Sequence, residues 1–489
     1  MKIHLNTIIR VLSVITAFVG LIMLLPTLVA FQLGEGIANR LLVTCIVTMV
    51  LGAGVFKMTK VSRRQLSKRD GYFIVASAWL VTALVCAVPY MYLDLGLSPV
   101  DALFESVSGL TTTGATIFSD LNLLPDSILL WRSFTQWIGG MGIIVLTIAI
   151  FPLLGVGGVE LFTAESPGPT SNKIHPRIKE TAKRLWLLYV SITFILMGIL
   201  YLEGMTAFDA VNHALTTTAT GGFSTKNESI AYFQSPLIQY TLIIFMFIAG
   251  INYSLIYAGI KGRFHKVIKS DEFKAYILFV LTCIGVMATI SYYNSDISVE
   301  LSFRQAAFHV VSIITTTGYV TTDYTIWHSM SSFLFFGLLF CGACAGSTSG
   351  GIKIIRHLVF AKNSILEFKR LLHPNALIRS RLDNNLIAPK IMMHVLMFLL
   401  IYLLVFFIGM TIMAGILNDL DEPLITAAGI VATSLGNVGP AIGSIGPLDT
   451  FASLPNSGKM LSAIIMLIGR LELFSILVLF TPYFWRTNY

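Results

Sequence analysis

Thr111-Thr112-Thr113-Gly114 and Thr315-Thr316-Thr317-Gly318 each set three hydroxyls ahead of a glycine, in different halves of the chain. Threonine brings a hydroxyl and a backbone carbonyl, and glycine reaches the dihedrals that turn carbonyls toward one side. Uncharged oxygens crowded in this way can replace the hydration shell of an alkali cation. A lone cassette of this type reads first as a membrane helix contact, where small and hydroxyl residues let backbones approach. Two looser copies change that balance: Thr218-Ala219-Thr220-Gly221, and Thr433-Ser434-Leu435-Gly436 with Asn437 behind it. The aligned glycines Gly114, Gly221, Gly318 and Gly436 are spaced by 107, 97 and 118 residues, with Gly222 a one-residue alternative register for the second.

The elements that must position these cassettes repeat with them. Each cassette ends a weakly apolar segment, within 101–117, 209–223, 305–320 and 424–440. These segments are too short to cross a bilayer and suit re-entrant helices. Each has a full span before it and another after it. The unit span, short helix, extended segment, span therefore occurs four times, and a fixed period of this kind describes architecture. Extended backbone at membrane depth must line water or be buried in protein, so four such segments around an axis make a ring of oxygens. The short helices would aim their partially negative C-terminal ends at that axis, which favours a cation.

Composition sets the same frame. Of 489 residues 55% are hydrophobic and 12% charged, and the mean hydropathy is +0.79. Soluble domains carry about 25% charged residues. The chain is predicted to be an all-α polytopic membrane protein: four tandem span, pore-helix, filter and span repeats around a central pore, plus an N-terminal helix pair. Ten spans fit, at 8–31, 40–56, 72–93, 129–155, 183–202, 235–260, 275–293, 330–360, 390–416 and 458–485. The helix pair occupies 1–70, and the repeats run over 71–172, 173–270, 271–385 and 386–489. With the N-terminus inside, 27 of the 33 Lys and Arg fall on the cytoplasmic side and five on the other, so both termini are expected inside. Of the 25 acidic residues, 16 fall outside. An acidic outer vestibule would concentrate cations, although acidic outer loops are also common without that role. The net charge of +8 is thus a sidedness signal and needs no nucleic-acid partner. The five cysteines lie in apolar segments, and Cys341-Gly-Ala-Cys344 lacks a second pair or a nearby His, so packing accounts for it.

Two features lie below the cassettes. Residues 342–352, GACAGSTSGGI, interrupt an apolar span with a composition that suits no helix interior. Gly346, Ser347, Thr348, Ser349, Gly350 and Gly351, followed by Lys353, are expected to form a gate loop; the alternative is a crossing point for a neighbouring helix. Arg470 sits near the middle of the last span, where an arginine costs ~2.5–3.5 kcal/mol and must be partnered or hydrated. Facing the pore, it would bind loop oxygens around 346–350 and repel cations; the alternative is an interhelix or dimer tether. Glu472 lies on another helix face. Enzyme readings find no support, since HExxH, GxGD and GxSxG motifs are absent.

The motifs TTTGAT at 111–116, TATGGFST at 218–225, TTTGYVTTDY at 315–324 and TSLGNVGP at 433–440 resemble the Trk/Ktr/HKT superfamily of potassium transporters. GGMG at 139–142, CAGSTSGGIK at 344–353, GRLELF at 469–474 and the N-terminal helix pair make the bacterial TrkH/TrkG branch the nearest likeness. The resemblance implies potassium uptake at a bacterial inner membrane, with one filter glycine per repeat and K+ as the only ion or cofactor on this chain. It also implies a homodimer in lipid and a cytoplasmic, nucleotide-binding RCK partner of TrkA type. Glycine at position 114 favours potassium over sodium. Ala219 and Leu435 depart from the threonine of the other cassettes, so coordination would rest mainly on backbone oxygens. A symporter coupling K+ to H+ or Na+ is the second reading.

Overall fold

Two apolar stretches joined by a short polar link make the first element pair, α1 (Leu5–Gln32) and α2 (Ala38–Met58). They approach closely because glycines face the contact: a methyl on Gly52 would stand 2.6 Å from the Ala17 nitrogen, and one on Gly20 2.8 Å from the Met49 side chain. The structure, a computed structural model, describes residues 4–59, 67–92, 95–142, 178–376, 379–419 and 422–486. The lower part of the expected 129–155 span, the boundary at 172 and the basic stretches 60–66 and 173–177 lie outside the described residues.

Four repeats follow. In the first, α3 (Lys68–Tyr92) leads to the pore helix α4 (Pro99–Leu110) and the inner helix α5 (Asp126–Gly140). The second has α6 (Ile178–Leu202), pore helix α7 (Ala207–Thr218) and inner helices α8 (Pro236–Ala249) and α9 (Tyr253–Ile260). The third has α10 (Asp271–Asn294), pore helix α11 (Val299–Ile314), α12 (Ser329–Leu338) and α13 (Ile354–Leu372). The fourth has α14 (Pro389–Ile416), pore helix α15 (Pro423–Gly436), α16 (Asn456–Arg470) and the single turn α17 (Phe474–Leu477). The pore helices start where the sequence supplies caps. Ser98 and Asp101 form a reciprocal capping box on α4, and the Thr206 and Ser298 side chains accept the Asp209 and Leu301 N–H groups.

Among the described residues six helices are long and apolar enough to cross a membrane. Three of the stretches expected as spans are bent or interrupted at the inner helices. α8 and α9 meet at 103°, and α16 turns by 105° into the helix that begins at Phe474. The 330–360 stretch is two helices separated by irregular chain from 339 to 353. α8 ends at Gly250, where only glycine fits: a methyl there would stand 2.5 Å from the Tyr276 hydroxyl oxygen and 3.0 Å from the Ala343 Cβ. Asn252 then caps α9 by accepting from the Ser254 N–H at 2.8 Å. Past Arg470 the chain enters left-handed backbone at Glu472 (φ 52°) and Leu473 (φ 54°). Composition detects apolar length; it does not detect where a third chain segment forces a helix to stop.

Candidate functional site

All four pore helices end the same way. A residue in left-handed conformation follows the last turn: Thr112 (φ 55°), Thr220 (φ 53°), Thr316 (φ 56°) and Asn437 (φ 55°). The next residue donates its N–H five residues back, from Thr113 to the Ser108 carbonyl, Gly221 to Thr216, Thr317 to Ser312 and Val438 to Thr433, at 2.8–3.0 Å. This is a Schellman ending, which normally takes glycine at its left-handed position. Threonine is β-branched and costs strain there, on the order of 1–3 kcal/mol per site. Three threonines bear it at equivalent places; asparagine tolerates it at the fourth.

The endings set the register. Two residues after each left-handed residue comes a glycine with positive φ: Gly114 (84°), Gly222 (79°), Gly318 (80°) and Gly439 (103°). A methyl on Gly114 would stand 2.1 Å from the Gly221 carbonyl oxygen, one on Gly222 1.9 Å from that of Thr317, one on Gly318 1.9 Å from that of Val438, and one on Gly439 2.6 Å from that of Thr113. Each glycine therefore abuts the next repeat's backbone, and the fourth closes on the first. The same four glycines line one cavity.

Alignment by letters misplaces two of these positions. Gly222, the one-residue alternative, and not Gly221, holds the glycine position of the second repeat; Gly221 stands where Thr113 and Thr317 stand. In the fourth repeat Gly439 holds it, while Gly436 ends α15 and Thr433, Ser434 and Leu435 form its last turn. Thr218 likewise closes α7, with Ala219 at the place of Thr111 and Thr315. The match on "T-x-T-G" counts side chains, whereas the helix ending counts from the left-handed residue.

Correct register exposes a set of residues that letter alignment hides. Nine positions before each glycine stand Glu105, His213, His309 and Ile430, all fully buried. Glu105 accepts from the Ile117 N–H at 3.0 Å and from the Arg132 Nε at 2.7 Å. Arg132, 1% exposed, also donates to the Ser224 carbonyl of the second repeat at 3.3 Å. His213 Nε2 and the Ser224 hydroxyl are 3.0 Å apart, and His309 Nε2 accepts from the Thr321 and Thr322 N–H groups at 3.3 and 3.4 Å. Polar residues on the pore helices thus brace the chain beyond the ring in three repeats. Gln136 adds a clamp between repeats, donating to the Gly221 carbonyl at 2.6 Å and accepting from the Phe223 N–H at 3.1 Å. A polar side chain at constant offset from the glycine was the available signal in three repeats, and it becomes constant only with Gly222 in place of Gly221.

On the other side of the ring lies the chain from 339 to 353. Thr348 donates to the Thr218 carbonyl at 3.2 Å and accepts from the Thr220 hydroxyl at 3.3 Å. The Gly350 N–H donates to the Thr316 hydroxyl at 2.7 Å. Lys353 Nζ binds Ser349 through its hydroxyl, at 3.0 Å, and through its carbonyl. The Ser347 and Ser349 hydroxyls pair at 2.8 Å, and the Gly346 carbonyl accepts from the Tyr253 N–H at 3.1 Å. Gly351 turns the chain with φ 66°. Glu272 accepts the Ala345 N–H at 2.6 Å. Arg470 donates to the Thr348 carbonyl at 2.9 Å and to the Gly139 carbonyl at 2.9 Å, tying the loop to the inner helix of the first repeat. Arg356 pairs with Glu472.

The family model for TrkH, a cation transport protein, matches residues 37–486. The chain belongs to the TrkH family. Over 487 residues it is 40% identical to the Trk system potassium uptake protein TrkH of Salmonella typhimurium, covering 99% of this chain and 100% of that one. The TrkG protein of Escherichia coli is 34% identical over 491 residues, 99% of both chains. The crystal structure of the potassium transporter TrkH from Vibrio parahaemolyticus superimposes with a TM-score of 0.88 at 36% identity, over 99% of this chain and 100% of that one. TrkH members are cation transporters and not enzymes. Among the described residues, the charged lining of the cavity at the ring of this TrkH-family chain is Arg132, Lys226 and one carboxylate, Asp449. Among the described residues, acidic side chains are therefore not concentrated on its wall. Its two cations are neutralised in place, Arg132 by Glu105 at 2.7 Å and Lys226 by Asp209 at 3.7 Å.

Proposed function

We propose that the chain takes up potassium across a bacterial inner membrane through the four-repeat ring, in a channel-like manner. The observation that carries this reading is the ring itself: four glycines, one per repeat, each seated on the carbonyl of the next. Crowded carbonyls held by a rigid frame suit a dehydrated cation. In this reading Thr111–Gly114, Ala219–Gly222, Thr315–Gly318 and Gly436–Gly439 are the filter. The repeats divide near residues 70, 172, 270 and 385, and both termini face the cytoplasm. The loop at 346–351, Lys353 and Arg470 form the gate. Its contacts with Thr218, Thr220 and Thr316 support an obstructing position directly beneath the filter. The relatives' name, a Trk system protein, supports association with regulatory subunits; in this reading the partner is cytoplasmic and nucleotide-binding and the chain assembles as a homodimer, as the resemblance implies.

Symport with H+ or Na+ is the second reading. Proton coupling usually uses carboxylates at membrane depth. Glu105 and Glu472 are each held by an arginine, which favours the channel-like reading. Growth of a transport-deficient cell at limiting potassium tests the proposal. The chain is expected to restore growth, more strongly with the partner, and Gly114→Ser to weaken or redirect it toward sodium. Failure to restore growth with the partner present and the chain in the membrane sinks it. Potassium flux in vesicles with no potassium driving force but a proton gradient would indicate symport.

A further inference from the structure

Beyond the inner helix of the second repeat the chain makes a basic hairpin that takes no part in the ring. α9 sets off at 103° from α8, so it runs across the direction of the span. It ends at Ile260 in a Schellman turn: Gly262 is left-handed (φ 72°), and the Arg263 N–H donates to the Ala258 carbonyl at 2.9 Å. A short helix, Phe264–Lys269, folds back on α9, and Val267 Cγ2 lies 3.8 Å from where a methyl on Gly259 would stand. Ser270 then caps α10 by accepting the Phe273 N–H at 3.3 Å. Backbone turns fix both ends of the hairpin. It connects α8 to α10, a helix long and apolar enough to cross the membrane, so it sits where the chain leaves the hydrocarbon.

Two kinds of side chain stand out from it. Ile260, Phe264 and Ile268 are 63–67% exposed. Lys261, Arg263, Lys266 and Lys269, set among them, are exposed as well. No acidic residue occurs between Glu228 and Asp271. The two acids that follow are engaged elsewhere, Asp271 by Lys362 Nζ at 2.7 Å and Glu272 by the Ala345 N–H at 2.6 Å. α6 brings a further cation to the same place: Arg184 lies 5.9 Å from the centre of the Tyr257 ring, and Lys261 Nζ lies 6.0 Å from it. Membrane sidedness explains the cations alone. It does not explain three large apolar side chains held out among them on a fixed turn, where exposure to water is unfavourable. Apolar and basic side chains interleaved in this way suit the bilayer boundary. The apolar groups enter the acyl region, while lysine and arginine stems reach back to the phosphates.

We propose that the hairpin 257–269 is a docking surface for anionic phospholipid. Ile260, Phe264 and Ile268 seat in the acyl boundary, and Lys261, Arg263, Lys266 and Lys269 meet headgroup phosphates. The attraction is electrostatic at the headgroups and therefore weakens with salt. The leaflet is the inner one, a clause that rests on the cytoplasmic orientation proposed above; the binding itself depends neither on that orientation nor on the conduction reading.

The whole chain, reconstituted in vesicles of phosphatidylcholine and phosphatidylglycerol, tests it, with one lipid or the other carrying brominated acyl chains. Phe264→Trp supplies a reporter, read as its emission less that of the wild-type chain. Brominated phosphatidylglycerol is expected to quench it several-fold more than the same fraction of brominated phosphatidylcholine. Changing Lys261, Arg263, Lys266 and Lys269 together to glutamine in that background should abolish the preference. Changing Lys369 and Arg370 on α13 to glutamine should leave it. A reporter that neither lipid quenches, in a chain that is a folded species by size exclusion, overturns the proposal, as does equal quenching by both. Equal loss of preference in the Lys369 and Arg370 variant also overturns it, since the whole basic face and not the hairpin would then be acting. An unaltered preference in the four-glutamine variant, with weakened uptake in cells, would assign the cations to a protein partner and overturn it too. Labelling that places Lys369 outside reverses the leaflet alone, a distinct result.

Discussion

At the scale of single residues, the buried pair of Glu105 and Arg132 ties two repeats together beside the ring. Both side chains are out of water, and their bonds reach Ile117 in one repeat and Ser224 in the next. Removing one partner leaves an uncompensated buried charge, at a cost of about 3–5 kcal/mol. Arg132→Met is therefore expected to lower the thermal midpoint of the detergent-solubilised protein strongly. Changing both residues together to a neutral pair should cost less than Arg132→Met alone. A midpoint unchanged by Arg132→Met would show that the pair does not hold the two repeats.

At the scale of elements, the loop between α12 and α13 is held near its middle at two points by different groups. Arg470 fixes Thr348 near the ring, and Glu272 at the start of α10 fixes Ala345. Arg470→Ala is expected to raise cation leak without the partner, since it frees the loop from the first repeat's inner helix. Glu272→Ala should do the same, and Glu272→Gln less, because an amide oxygen still accepts from Ala345. Rubidium uptake into partner-free vesicles measures all three; leak at the wild-type level in Arg470→Ala and Glu272→Ala would remove the loop from gating. The bend between α8 and α9 belongs to the same device, since Gly250 makes room for Ala343 and its carbonyl accepts the Cys344 N–H at 3.0 Å.

At the scale of the whole molecule, the inner helix of one repeat packs on the pore helix of the next, α5 on α7, α8 on α11 and α16 on α4. The repeats are thereby interlocked, and sidedness applies to all of them at once. Tyr293 at the end of α10 is 80% exposed and should lie outside, while Lys369 on α13 is exposed and should lie inside. Tyr293→Cys is expected to react with a membrane-impermeant maleimide in intact cells, and Lys369→Cys only after permeabilisation. The chain's own cysteines are free but buried or half-buried, which keeps the background low. The reverse labelling pattern would invert the topology.

Apolar length, the basic-residue asymmetry and the fourfold recurrence of hydroxyls and glycine were legible in the residues themselves. They follow from local composition, which a bilayer reads one span at a time. The cassettes of repeats one and three were also legible, because their letters coincide with their helix endings. In repeats two and four the letters and the endings part, and only the backbone shows that Gly222 and Gly439 take the place of Gly221 and Gly436. The pairing of Arg132 with Glu105, the bends at Gly250 and beyond Arg470, and the seat of Thr348 against Thr218 likewise came from the fold. Each joins residues far apart in the chain. Such contacts exist because a closed ring of four repeats leaves one place for each carbonyl, and no local pattern encodes which neighbour will occupy it.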